Sequence, residues 1–157
     1  MYRSQNNMQS IDFDEALERI LKTDLRYDRE AYRFVRDALD FTQQQRWKSG
    51  ERSNRSGRRG HGKVPLRHVS GAELLAGIRE YALQQFGPMV TTVLSEWGVH
   101  KTDDFGEIVF NMVDARLLNK TAQDRRDDFR EVYDFREVFE LPFLPSRKVK
   151  APLQLRG

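Results

Sequence analysis

Residues 69–118 read VSGAELLAGIREYALQQFGPMVTTVLSEWGVHKTDDFGEIVFNMVDARLL, and they organise the chain as three consecutive helices. Ser70 can cap the first, with Glu73 closing a capping box and Val69 and Leu74 forming a hydrophobic staple. Leu74, Leu75, Ile78, Tyr81, Ala82 and Phe86 then give one apolar stripe, and Gly87-Pro88 stops it. Pro88 can open the next helix at its first position, where a missing N–H costs nothing; Val90, Val93, Leu94 and Trp97 share a face, and Gly98 ends it. In the third, Asp104 and Glu107 repeat the cap pattern. Its stripe of Phe105, Ile108, Val109, Met112, Val113 and Leu117 is the most apolar in the chain.

Two more helices precede this stretch. Asp12 is the expected cap of the first, with Glu15 completing the box, Phe13, Ala16, Leu17, Ile20 and Leu21 on one face, and an end near Lys22. Asp28 caps the second, Tyr27 and Tyr32 staple it, and Ala31, Phe34, Val35, Ala38 and Leu39 carry it to about Trp47. The expected organisation is a frayed start at residues 1–10 and a single helical domain at 11–140. A flexible Gly/Ser/Arg-rich insertion interrupts it at 49–64, and an extended basic tail follows at 141–157.

After Leu118, a six-residue near-repeat, Asp128 to Tyr133 and then Asp134 to Phe139, ends the patterned chain. The first copy could pair with Leu117 to Thr121 as a small hairpin. The second, with Asp134 and Glu137 as capping box, reads as a short helix stopped by Leu141-Pro142. The fold class is therefore mainly α, five to six helices, with a winged-helix-like hairpin at 117–133 as an added possibility.

A chain of 157 residues supports one core, and 38% hydrophobic residues, with ten Phe, five Tyr and two Trp, supply it. No window is apolar enough for a membrane span, and the polar N-terminus carries no signal-peptide pattern, so a cytoplasmic protein is expected. Zero cysteine excludes disulfides, thiol catalysis and thiolate zinc sites.

The net charge of +3 conceals a partition. Arg46, Lys48, Arg52, Arg55, Arg58, Arg59, Lys63 and Arg67 stand between residues 46 and 68 against Glu51 alone; Arg147, Lys148, Lys150 and Arg156 follow in the tail with no acid. The rest holds fifteen basic and twenty-three acidic residues, a net of −8. Basicity belongs to two segments, and the body is acidic.

Several motifs fail on context. Gly57 to Lys63 matches G-x-x-x-x-G-K, but no strand precedes it, Val64 stands where magnesium needs Ser or Thr, and Pro65 follows where a helix should begin. His61, His68 and His100 lack metal-ligand spacing, so no metal and no small-molecule cofactor is expected. Asp103-Asp104 and Asp127-Asp128 suit caps and solvated charge better than an acid–base pair, and Ser70 and Ser95 lack a nucleophile setting. Trp97 suits a core; Trp47, bordering the basic segment, fits either a core anchor or a stacking platform. A winged-helix shape raises DNA binding, but the positions left for a groove are Glu107, Asn111, Asp114 and Ala115, which phosphates would repel.

At Trp97-Gly98, Asp104-Phe105-Gly106-Glu107-Ile108-Val109-Phe110-Asn111, Leu117-Leu118, Lys120-Thr121 and Val132-Tyr133-Asp134-Phe135 the chain resembles a family of small conserved hypothetical proteins found mainly in planctomycetes and verrucomicrobia. The match covers roughly residues 13–139. The resemblance implies a cytoplasmic bacterial protein and brings no activity, substrate or catalytic residue with it; the basic insertion and tail are more elaborate here than in the family.

The expected function is a non-enzymatic binding module whose partner is RNA or a ribonucleoprotein such as a ribosome-like assembly. Arg46, Lys48, Arg52, Arg55, Arg58, Arg59, Lys63, Arg67, Arg147, Lys148 and Lys150 would contact phosphates with little sequence reading. The alternative is an adaptor for a protein partner, or a homo-oligomer, using the helical body through an exposed aromatic such as Phe110. An enzyme ranks third.

Overall fold

Five α-helices form, in the order the apolar stripes predict: α1 (Ser10–Thr23), α2 (Arg29–Asn54), α3 (Gly71–Phe86), α4 (Val90–Glu96) and α5 (Thr102–Asp114). The computed structural model describes residues 3–4, 10–54 and 68–145. The product is mainly helical and builds around one core.

Side-chain caps explain the starts of α2 and α3. Ser70 Oγ accepts the Glu73 N–H at 3.2 Å, and the stapling pair Val69 and Leu74 is fully buried. Asp28 Oδ1 accepts the Glu30 N–H at 2.9 Å, with Tyr27 and Tyr32 buried beside it. Two expected caps are corrected. Helix α1 begins at Ser10, so Asp12 lies inside its first turn, where its charge still complements the positive end of the helix dipole. Helix α5 begins at Thr102, so Asp104 is not its cap. From the third helical position Asp104 Oδ2 reaches back to the N–H groups of His100 at 2.9 Å and Lys101 at 3.2 Å. Pro88 sits in a 3-10 turn, Gly87–Met89, that leads into α4.

Helix α2 is the axis of the packing. Its stripe of Ala31, Phe34, Val35, Ala38 and Leu39 is buried against α3 and α5. Phe34 stacks at tilted angles on Tyr81, Phe86, Trp97 and Phe105, with centroids 5.4 to 6.5 Å apart. At Gly77 of α3 the two helices approach so closely that a Cβ would collide with Thr42 Oγ1, the hydroxyl that donates to the Ala38 carbonyl at 2.7 Å. The helix also runs seven residues past Trp47. Ser49 to Asn54, expected as the start of the flexible insertion, continue it, because helix already formed upstream extends at about 1 kcal/mol or less even through Ser, Gly and Asn.

The C-terminal part corrects the hairpin. Leu118–Asn119 (β2) pairs antiparallel with Arg3–Ser4 (β1), not with residues 129–133, and Arg126–Phe129 is a 3-10 turn. No winged-helix wing forms among the described residues. The first near-repeat copy instead drives Phe129 into a socket between α3 and α5. A Cβ on Gly106 would stand 2.8 Å from Phe129 Cβ, and one on Gly71 would stand 3.2 Å from the ring. Complete burial of that ring contributes about 2–3 kcal/mol. The second copy forms the expected short helix as a single π-turn, Arg136–Glu140, started by Asp134 Oδ1 accepting the Glu137 N–H at 3.1 Å. Its Phe135 and Phe139 join Phe105 and Tyr133 in the core. A 3-10 turn, Leu141–Phe143, follows.

Candidate nucleic-acid interface

The basic residues expected to meet RNA divide into three groups. Arg46, Lys48 and Arg52 lie on the distal part of α2. Arg55, Arg58, Arg59, Lys63 and Arg67 lie outside the described residues, as do Arg147, Lys148 and Lys150. Of the first group, Arg46 already has protein partners: it forms an ion pair with Glu73, and its Nη1 donates to the His68 carbonyl at 3.2 Å. It therefore ties the chain entering α3 to the side of α2. Lys48 is exposed on the helix surface.

Between them stands Trp47, with 56% of its surface exposed. Trp97 behaves oppositely, wedged between Phe34 at 5.6 Å and the edge of Phe86 at 5.7 Å. The sequence contains a signal for this difference. The helical neighbours of Trp47 three and four positions away are Gln43, Gln44, Gly50 and Glu51, so its face of α2 has no apolar stripe to bury it.

The outer face of α5, which a winged-helix protein would turn toward DNA, is filled by the chain itself. Arg26 grips Asp24 through two parallel bonds, Nε to Oδ1 at 3.0 Å and Nη2 to Oδ2 at 2.7 Å, and Nη2 also reaches Glu107 at 3.3 Å. Asn111 donates its amide to Asp24 at 2.9 Å and to the Tyr32 hydroxyl at 3.1 Å. Arg126 approaches Glu107 at 3.5 Å. The Arg26 guanidinium, helped by Asn111, holds the Asp24 carboxyl well below the usual carboxylate range. Burial, reinforced by its bond to Asp104, raises the Tyr27 hydroxyl well above the ordinary phenol value. Glu107 and Asn111, two of the groove positions, thus serve to dock the turn between α1 and α2.

Carboxylates weighed as an acid–base pair have structural partners. Asp103 accepts the Glu131 N–H at 3.0 Å, and Asp128 accepts the Arg125 N–H at 2.9 Å. No group of three His, Asp or Glu is placed to hold a metal among the described residues. An open groove of about 710 Å³ runs between α4 and the π-turn, lined by Thr91, Ser95, Glu96, His100, Arg136 and Glu140. It contains none of the basic residues expected to meet RNA. Phe110, proposed as an exposed aromatic, is 7% exposed, with Lys120 Nζ 5.1 Å and the Arg126 guanidinium 5.3 Å from its ring centre. It is a core residue beneath two cations, because α5 is buried on more than one face.

No helix among the described residues is long and apolar enough to cross a membrane. In comparisons with known proteins, no family model, no curated protein and no solved structure matches the chain.

Proposed function

We propose that the protein is a non-enzymatic RNA-binding module of the bacterial cytoplasm, in which an acidic helical body carries a basic insertion and a basic tail to phosphates. The observation that carries this reading is the segregation of charge. Between residues 46 and 68 there are eight bases against one acid, while the remainder outside the tail has a net charge of −8. Phosphate attraction falls off within about 10 Å at ordinary salt, so bases concentrated on one segment bind while distant body acids add little repulsion. The distal part of α2 supports the reading, since it leads into the insertion with Trp47 and Lys48 exposed. A ribonucleoprotein is the natural partner for contacts that read backbone rather than sequence.

The test is filter binding of single-stranded RNA across a salt series, comparing the wild type with a chain in which Arg55, Arg58, Arg59, Lys63 and Arg67 are all Ser. Each lost phosphate contact is expected to flatten the log–log salt slope by about 0.7. Equal affinity and equal slope for the two chains would remove the RNA reading.

A second reading, a protein-interaction adaptor or homo-oligomer, draws on a different observation. Leu141, Phe143 and Leu144 leave about half of their surface exposed on the last turn of the described body. Light scattering on the purified protein separates self-association from a monomer.

A further inference from the structure

We infer that Trp47 is a base-stacking platform and that the ligand of the basic surface is single-stranded RNA; this rests on the RNA-binding reading and narrows it. An indole left more than half exposed forgoes much of the burial that Trp97 obtains in the same molecule. The space beside it is also open. Gly50, three residues on and therefore next to Trp47 on the helix surface, has no side chain, and a Cβ placed there would meet nothing within 4 Å. On the chain's other side Arg46 is drawn away by Glu73 and the His68 carbonyl.

The charges around the indole sort the ligand's parts. At about 100° per residue, Lys48 follows Trp47 around the helix, and the uncharged Gln44 falls at an angle between them. Lys48 suits a phosphate. The indole itself offers an apolar face, which suits an uncharged base rather than a phosphate. Every nucleobase offers a π-face, but in a duplex those faces are covered by their neighbours; only an unpaired base can lie flat on the indole.

The probes are an oligouridylate of about twelve nucleotides and an RNA duplex of equal length, within the range of sites used by single-strand binders. The wild type is expected to bind the single strand at least about tenfold more tightly than the duplex, with quenching of tryptophan fluorescence, a margin within reach of one stacked base. Trp47→Ala is expected to lower single-strand affinity about tenfold and abolish the quenching, while Trp47→Phe, which keeps a ring, loses less. Gly50→Leu is expected to lower it too, by filling the slot beside the indole. Emission from the half-buried Trp97 reports that each variant is folded. Unchanged single-strand affinity in Trp47→Ala, or a preference for the duplex, would overturn the platform while leaving the RNA reading intact. If the wild type binds neither probe, the RNA reading fails and the platform with it.

Discussion

Thr102 shows how much one hydroxyl can hold. It is fully buried at the start of α5, donates to the Phe129 carbonyl at 2.7 Å, and accepts the Val132 N–H at 3.0 Å. Thr102→Val keeps the shape and removes both hydrogen bonds, each contributing about 0.5–1.5 kcal/mol. The expected loss of about 1–3 kcal/mol is measurable as a lower urea midpoint with unchanged slope. A midpoint within error of the wild type would mean that the backbone groups find other partners. Ser70, by contrast, could be assigned from sequence because its partner is Glu73, within the same turn. Thr102 could not, since its partners lie 27 and 30 residues away and no local pattern connects them.

At the scale of elements, helices were legible and their ends less so. Apolar spacing located all five, and the caps Asp28 and Ser70 marked the starts of α2 and α3, because both signals act within a few residues. Helix α5, however, ends without a glycine: Arg116 takes the left-handed conformation at φ 61°, and the Leu117 N–H closes back on the Met112 carbonyl at 2.8 Å. A side chain in that conformation costs about 1 kcal/mol that glycine does not. Arg116→Gly is therefore expected to raise stability by about 0.5–1 kcal/mol, seen as a rise of a few degrees in Tm. A fall would show that the arginine side chain contributes more than its backbone costs. The hairpin was misread for a related reason. Leu118–Asn119 finds its partner in Arg3–Ser4, and a strand of two residues is too short to show alternation. Likewise Ser49 to Asn54 have loop-forming composition, and only their continuity with a formed helix makes them helical.

Across the whole molecule, the charge partition was visible in the sequence, because counting needs no fold. What counting could not supply was the separation of duties among the bases. Arg46 and Arg126, alike in sequence to their neighbours, serve the body by holding Glu73 and Glu107, whereas Lys48 faces water. Trp47 differs from Trp97 already in its helical neighbours, Gln43, Gln44, Gly50 and Glu51, and the packing shows the outcome: Trp47 is exposed while Trp97 packs on Phe34 and Phe86.

The socket around Phe129 also bears on how the chain is made. Its walls, Gly71 and Gly106, are synthesised before the ring that fills it, so a chain growing from its N-terminus carries an open apolar hole until residue 129 has been added. Chains ending at residue 125 are expected to remain loosely packed, with strong binding of an apolar dye, and chains ending at 145 to exclude it. Equal dye binding by both would show that α1 to α5 close the hole without the aromatic. On a synthesising ribosome, the final packing of α3 against α5 would then wait for a single phenylalanine to clear the exit tunnel.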